Sequence, residues 1–192
     1  DPGYFYPLKR SNAMLIGVDG NEANVPRRVG ISEFAFELLD EFSKLSKKEF
    51  KFQIYLKNPP LSHMPEESES LKYIIAKPEK LWTQFALPIS LLLGRKKPDV
   101  FFSPTHYAPR FSFSPVVISI MDLSYIFYPD MFKKSDLYQL KNWTAYSVKK
   151  AKKIITISKN SRNDIINYYN VDKDKVAVVY PGLRSLNGGS NM

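Results

Sequence analysis

Cysteine is absent from this chain of 192 residues, and histidine occurs only twice, at His63 and His106. The first absence excludes a disulfide framework and fits a reducing compartment. With so few thiol and imidazole ligands, a structural zinc site is disfavoured as well. Long apolar runs are also missing. The nearest candidate, LWTQFALPISLLLG at 81–94, is too short to cross a bilayer and carries Pro88. The chain does not open with the basic, apolar and small-residue succession of a signal peptide. It holds no Gly-x-Gly-x-x-Gly fingerprint, no phosphate-loop Gly-Lys-Ser/Thr and no hydrolase nucleophile elbow.

What is present is positive charge and a regular alternation. The net charge is +9, with lysine and arginine gathered at 44–51, 95–97 and 149–153. Such a balance favours anionic partners: acidic lipid, phosphorylated ligands or nucleic acid. Nucleic acid is the least favoured, because no recognition-helix or RNA-binding signature accompanies the charge.

Ser11-Asn12-Ala13 before Met14 reads as the scar of a cleaved tag, so residues 1–13 are expected to be tag-derived and are set aside. From Met14 the pattern predicts strands over 14–18, 50–56, 73–75, 100–102, 116–120, 154–157 and 176–180. Helices are predicted over 32–45, with Phe34, Leu38, Leu39 and Phe42 inward, and over 135–150, with Leu137, Leu140, Trp143, Ala145 and Val148 inward. The segment 81–93 reads as partly helical and 61–69 as an exposed acidic loop. Strands alternating with helices define an α/β class. The expected architecture is one Rossmann-like, doubly wound parallel sheet over 14–183, with helices on both faces and a linker-like tail at 184–192.

Ligands of open α/β sheets bind beyond the carboxyl ends of the strands, which selects four places. The first is Val29-Gly30-Ile31-Ser32, a helix start whose amides and dipole favour an anion, with Arg27 and Arg28 adding charge. The second is Ser103-Pro104-Thr105-His106-Tyr107, where His106 occupies the position of a catalytic loop. His63, in the acidic loop, is not a candidate. The third is Met121-Asp122-Leu123-Ser124, whose carboxylate either binds hydroxyls and protons or caps a turn. The fourth is Ser158-Lys159-Asn160-Ser161, a second strand-to-helix turn.

Taken together, LIGVDGNEANVPRRVGISEFAFELLDEF, KPDVFFSPTHYAPRF, VVISIMDLSYIFYPDMF and AKKIITISKNSRNDIINYYNVDKDKVAVVYPGL resemble the N-terminal domain of family-4 (group 1) glycosyltransferases, two-domain enzymes of the GT-B fold. The resemblance implies a retaining enzyme that needs no metal and holds no tight cofactor. Its donor would be a nucleotide diphosphate-sugar and its acceptor a glycan or lipid-linked sugar. Gly30, Ile31 and Ser32 would face phosphate or acceptor, and His106, Tyr107, Asp122 and Ser158 would line the cleft. Trp82, Phe85 and Tyr125 are further aromatics expected near it. Two positions depart from the family pattern. Met121 stands where many members carry histidine, and Glu33 where they carry arginine. The donor-binding C-terminal domain is not part of the 192 residues, so the chain reads as an acceptor-side half, working in the cytoplasm or at the anionic inner face of a membrane. The alternatives are a non-catalytic module for an anionic partner and a subunit paired with a separate donor-binding chain.

Overall fold

The computed structural model describes residues 13–45 and 48–182. The expected tail at 184–192 and all but Ala13 of the expected tag segment lie outside them. Seven strands are present: β1 (Met14–Asp19), β2 (Phe50–Leu56), β3 (Leu71–Ile75), β4 (Val100–Ser103), β5 (Val116–Ser119), β6 (Lys153–Thr156) and β7 (Val176–Val178). They form one sheet in the order β3-β2-β1-β4-β5-β6-β7, and every pairing is parallel. The helices are α1 (Ile31–Lys44), α2 (Ala86–Leu93), α3 (Ser124–Phe127), α4 (Lys134–Lys150) and α5 (Lys159–Tyr169). This is the Rossmann-like sheet expected from the alternation.

Because side chains alternate across a strand, neighbours such as Phe101 and Phe102 enter different cores. On one face Val18, Phe52, Ile54, Leu56 and Phe102 pack against Ala35 and Leu39 of α1. Phe42 of α1 stacks on Phe52 at 5.0 Å between centroids and meets Phe102 edge-on at 6.3 Å. On the other face Tyr55, Phe101, Ile118, Ile120 and Ile154 pack against Leu87 and Leu91 of α2, Val148 of α4 and Ile165 of α5. Layers of helix on both faces follow.

Several local expectations are corrected. Ala145 is exposed, and α4 instead buries Thr144, Ser147 and Val148. The inward stripe runs through positions three and four apart, and 145 falls beside it. In α1 the deepest residues are Ser32, Ala35 and Leu39 rather than the larger Phe34, because the helix lies close to the sheet and small side chains let it approach. The 61–69 loop is not simply exposed: Met64 is buried in the α1-side core. The four-residue α3 is too short to leave a period in the sequence.

The strand order fixes where a site belongs. From β1 the chain moves outward through β2 and β3, then returns to place β4 on the other side of β1. The connections therefore part between β1 and β4, and their carboxyl ends flank the crevice where open α/β sheets take ligands.

Candidate functional site

At that switch point β1 ends in Asp19, a carboxylate only 8% exposed. One oxygen accepts from the Asn21 amide at 3.1 Å and the Asn21 side chain at 2.6 Å, and the other from Trp82 Nε1 at 3.1 Å. Burial nevertheless dominates and raises its pKa above the ordinary aspartate range. Glu22, three residues on, is raised by its own burial and then by the neighbouring Asp19 charge. Gly20 between them sits so close to β2 that a Cβ would come within 2.5 Å of Ile54 Cγ2. Neither acid was among the residues singled out from sequence. The signal was available, since Asp19 ends an apolar strand as Asp122 does.

The loop after β1 closes at Gly30, whose φ of 53° lies in the left-handed region and whose missing Cβ would point into open space. The end of α1 is thus accessible at Gly30 and Ile31. Ser32 is turned inward: its hydroxyl donates to the Val29 carbonyl and accepts from the Val29 amide, both at 2.8 Å. Arg28 is likewise engaged, pairing with Glu33 at 3.1 Å and lying over the Phe36 ring at 3.9 Å. Glu33, the departure from the family pattern, therefore serves to hold Arg28, while Arg27 is exposed.

Across the crevice, β4 runs into a loop tied down on several sides. Ser103 and Thr105 hydroxyls bond at 3.1 Å, the Ala108 amide donates to Ser147 Oγ at 2.8 Å, and the Arg110 amide donates to the Thr83 carbonyl at 2.7 Å. His106 is held half-buried, 4.3 Å from the Tyr107 ring and 6.3 Å from that of Tyr125. Burial pushes its pKa down to about 4, against a smaller opposing pull from Asp122. The imidazole is therefore neutral near pH 7, able to accept or donate a hydrogen bond but not to serve as a cation. Tyr107 packs edge-on against Trp143 at 5.6 Å, and burial raises its phenol to about 12. Glu22 bears electrostatically on Tyr107, which links the β1 and β4 loops.

Asp122 follows β5 and is exposed, with one oxygen accepting from the Ser124 amide at 2.8 Å. It is a turn acceptor and also close enough to His106 to favour its charged form. Met121 is partly buried, and its carbonyl accepts from Thr156 Oγ1 at 3.4 Å. Ser158 caps α5: its hydroxyl accepts from the Ser161 amide at 3.0 Å and donates to Ser161 Oγ at 2.9 Å. His63 contacts the Ala23 carbonyl at 3.0 Å and the edge of Phe36, which ties the 61–69 loop to the loop after β1.

Two hollows lie near these loops. One, about 400 Å³, is lined by Leu81, Gln84, Tyr107, Arg110, Trp143 and Tyr146. The other, about 420 Å³, lies between the 60–67 loop and β3, away from the switch point. Among the described residues no group of three or more His, Asp or Glu side chains is placed to hold a metal ion. No helix among them is long and apolar enough to cross a membrane.

A parallel sheet with a topological switch point and an open helix N-terminus beside it hosts many chemistries, so the fold alone does not choose among them. The Glycosyltransferase Family 4 model matches residues 30–184, and the chain belongs to that family. Among solved structures, the chain is similar to HepE of Anabaena, determined in complex with UDP-glucose. The TM-score is 0.52 at 15% identity, over 88% of this chain and 44% of that one, so the chain spans less than half the length of HepE. At that identity the likeness concerns the fold. No curated protein matches the chain.

Proposed function

We propose that the chain is the N-terminal, acceptor-side half of a retaining GT-B glycosyltransferase. A second Rossmann-like domain, in the same polypeptide or in a partner chain, would hold a nucleotide diphosphate-sugar. The acceptor is a glycan or a lipid-linked sugar. The observation that supports this reading is that β1, β4 and β5 are neighbouring parallel strands in a family-4 chain, so the loops that carry Gly30, His106 and Asp122 follow the same edge of the sheet. The UDP-glucose complex of HepE supports a nucleotide-sugar as the donor class. The donor is a co-substrate, and the reading includes neither a tightly held cofactor nor a metal.

In the transfer, the bond from the sugar C1 to the diphosphate oxygen breaks, and a bond from C1 to the acceptor oxygen forms on the same face. The acceptor proton passes to the departing phosphate, leaving a nucleoside diphosphate and a glycoside. Negative charge grows on the phosphate, which the Gly30 and Ile31 amides at the head of α1 are oriented to stabilise. Neutral His106 accepts a hydrogen bond from a sugar hydroxyl, and Asp122 positions either the imidazole or the acceptor. Tyr107 offers a face for the sugar, and Ser158 holds the α5 turn at the far wall. Met121 has no proton to exchange, so His106 takes the imidazole role from the neighbouring loop. The net charge of +9 fits a peripheral protein at an anionic, cytoplasmic membrane face.

The test is donor cleavage by the full-length polypeptide against a panel of nucleotide diphosphate-sugars, with the anomeric proton of the first-released sugar followed by NMR. Retention in the initial product, lost in His106→Ala, supports the reading. An inverted product, or no nucleotide release from any donor, overturns it.

A further inference from the structure

The helix α2 is apolar except for Ser90, and no charged residue occurs from Leu81 to Gly94. A helix of that composition is ordinarily enclosed. Here Ala86, Leu87 and Leu91 enter the core, while Phe85, Ile89, Leu92 and Leu93 face solvent, 46–74% exposed. Those four stand at helical spacing, so they form one continuous outer face. Directly after it come Arg95, Lys96 and Lys97, all exposed. The neighbouring 110–115 loop extends the patch with Phe111 and Phe113, 68% and 77% exposed. Lys97 Nζ lies 4.7 Å over the Phe113 ring, and Ser114 Oγ donates to the Pro98 carbonyl, so the two loops are joined. The next acid along the chain, Asp99, has one oxygen turned to the Leu15 amide at 2.9 Å.

Exposed apolar surface of this extent marks an interaction face. Its charge selects the partner: an apolar centre, an aromatic pair and a basic rim match a bilayer surface rich in anionic phospholipid. We infer that the outer face of α2, with Arg95 to Lys97, Phe111 and Phe113, is the surface by which this protein docks on an anionic membrane. The inference rests on the peripheral-membrane part of the proposed function and names the residues that would perform it. Leu81 and Arg110 line the aromatic hollow, and they adjoin the α2 face through the Phe85 amide, which donates to the Leu81 carbonyl at 3.0 Å, and through Phe111, the residue after Arg110. A lipid-linked acceptor would thus meet the protein from the docked side.

Vesicle co-sedimentation at low salt tests this, comparing phosphatidylglycerol-containing with pure phosphatidylcholine vesicles. The wild-type protein is expected to bind the anionic vesicles and to be released by salt. Leu92→Glu/Leu93→Glu should lower partitioning by about ten-fold or more for each apolar side chain withdrawn. Arg95→Gln/Lys96→Gln/Lys97→Gln should lower it about five-fold per charge and flatten the salt dependence. All five positions are exposed, so thermal unfolding should not change, and the triple variant leaves α2 untouched. Variants that bind as wild type does would overturn this surface while leaving membrane association standing. Wild type that ignores anionic vesicles would overturn both, with glycosyl transfer judged separately by donor cleavage. Self-association that is lost in Leu92→Glu/Leu93→Glu, without vesicle binding, would make the face a contact between copies and also overturn the inference.

Discussion

His106 ties the fold to the proposed chemistry, and its titration can be predicted in both sign and size. Its folded pKa is depressed from 6.5 to about 4 because burial between Tyr107 and Tyr125 disfavours the imidazolium. Between those values the unfolded chain binds a proton that the folded chain does not. The neutral ring therefore contributes stability that is complete above pH 6.5 and is lost as the pH falls towards 4. At about 1.4 kcal/mol per pH unit the full effect is about 3 kcal/mol, and solvent at the exposed edge reduces it to about 2–3 kcal/mol. Asp19 and Glu22 act in the opposite sense, because their raised pKa values favour protonation in the folded state. The clean quantity is therefore a difference between wild type and His106→Gln, in which all other groups cancel. Urea unfolding at pH 7, 6, 5 and 4.5 should show that difference shrinking in the wild type's disfavour by most of this amount. A parallel NMR titration should find one imidazole that stays neutral below pH 5. Asp122→Asn should depress it further, since the carboxylate is the group that opposes the shift. A His106 titration near pH 6.5, or a pH-independent difference, would refute the burial argument.

Other substitutions probe the loops around it. Gly30→Ala places a Cβ in open space but forces a non-glycine residue to φ 53°, so it should cost about 1–2 kcal/mol by strain alone in thermal unfolding. Gly20→Ala drives a methyl against Ile54 and Leu56 and should cost about 1–3 kcal/mol by overpacking. Trp82→Phe removes the donor to Asp19 and leaves a smaller ring in the core, costing about 1–3 kcal/mol at neutral pH for the lost hydrogen bond alone, with the Asp19 carboxyl shifting further upward by carbon-detected NMR.

Much of the fold was legible because burial in a parallel sheet writes short apolar runs such as Val116–Ser119 and Lys153–Thr156 between turn residues. All seven strands stand where those runs predict them. The loops at their carboxyl ends were legible for the same reason. What the sequence could not display was direction. Ser32 reads as a ligand but bonds its own turn, and Arg28 reads as an anion contact but lies on Phe36. Asp19 is legible as an acid at a strand end, but its burial and its bond from Trp82, 63 residues away, leave no local mark in the sequence. Along α4, Leu137, Leu140 and Val148 meet the core as their spacing predicts, while Ala145 lies beside the buried face and Thr144 takes the inward place.

The central proposal is that the switch-point edge between β1 and β4 meets the acceptor, and the diphosphate of a donor that the second domain holds. Amide NMR of the full-length polypeptide, titrated with a nucleoside diphosphate and with acceptor, measures it most directly. Within residues 14–183 the account predicts shifts concentrated at Gly30, Ile31, His106 and the 121–124 turn, abolished by Gly30→Val. Shifts absent from those amides at high ligand concentration, or centred on the 60–75 hollow instead, would contradict it.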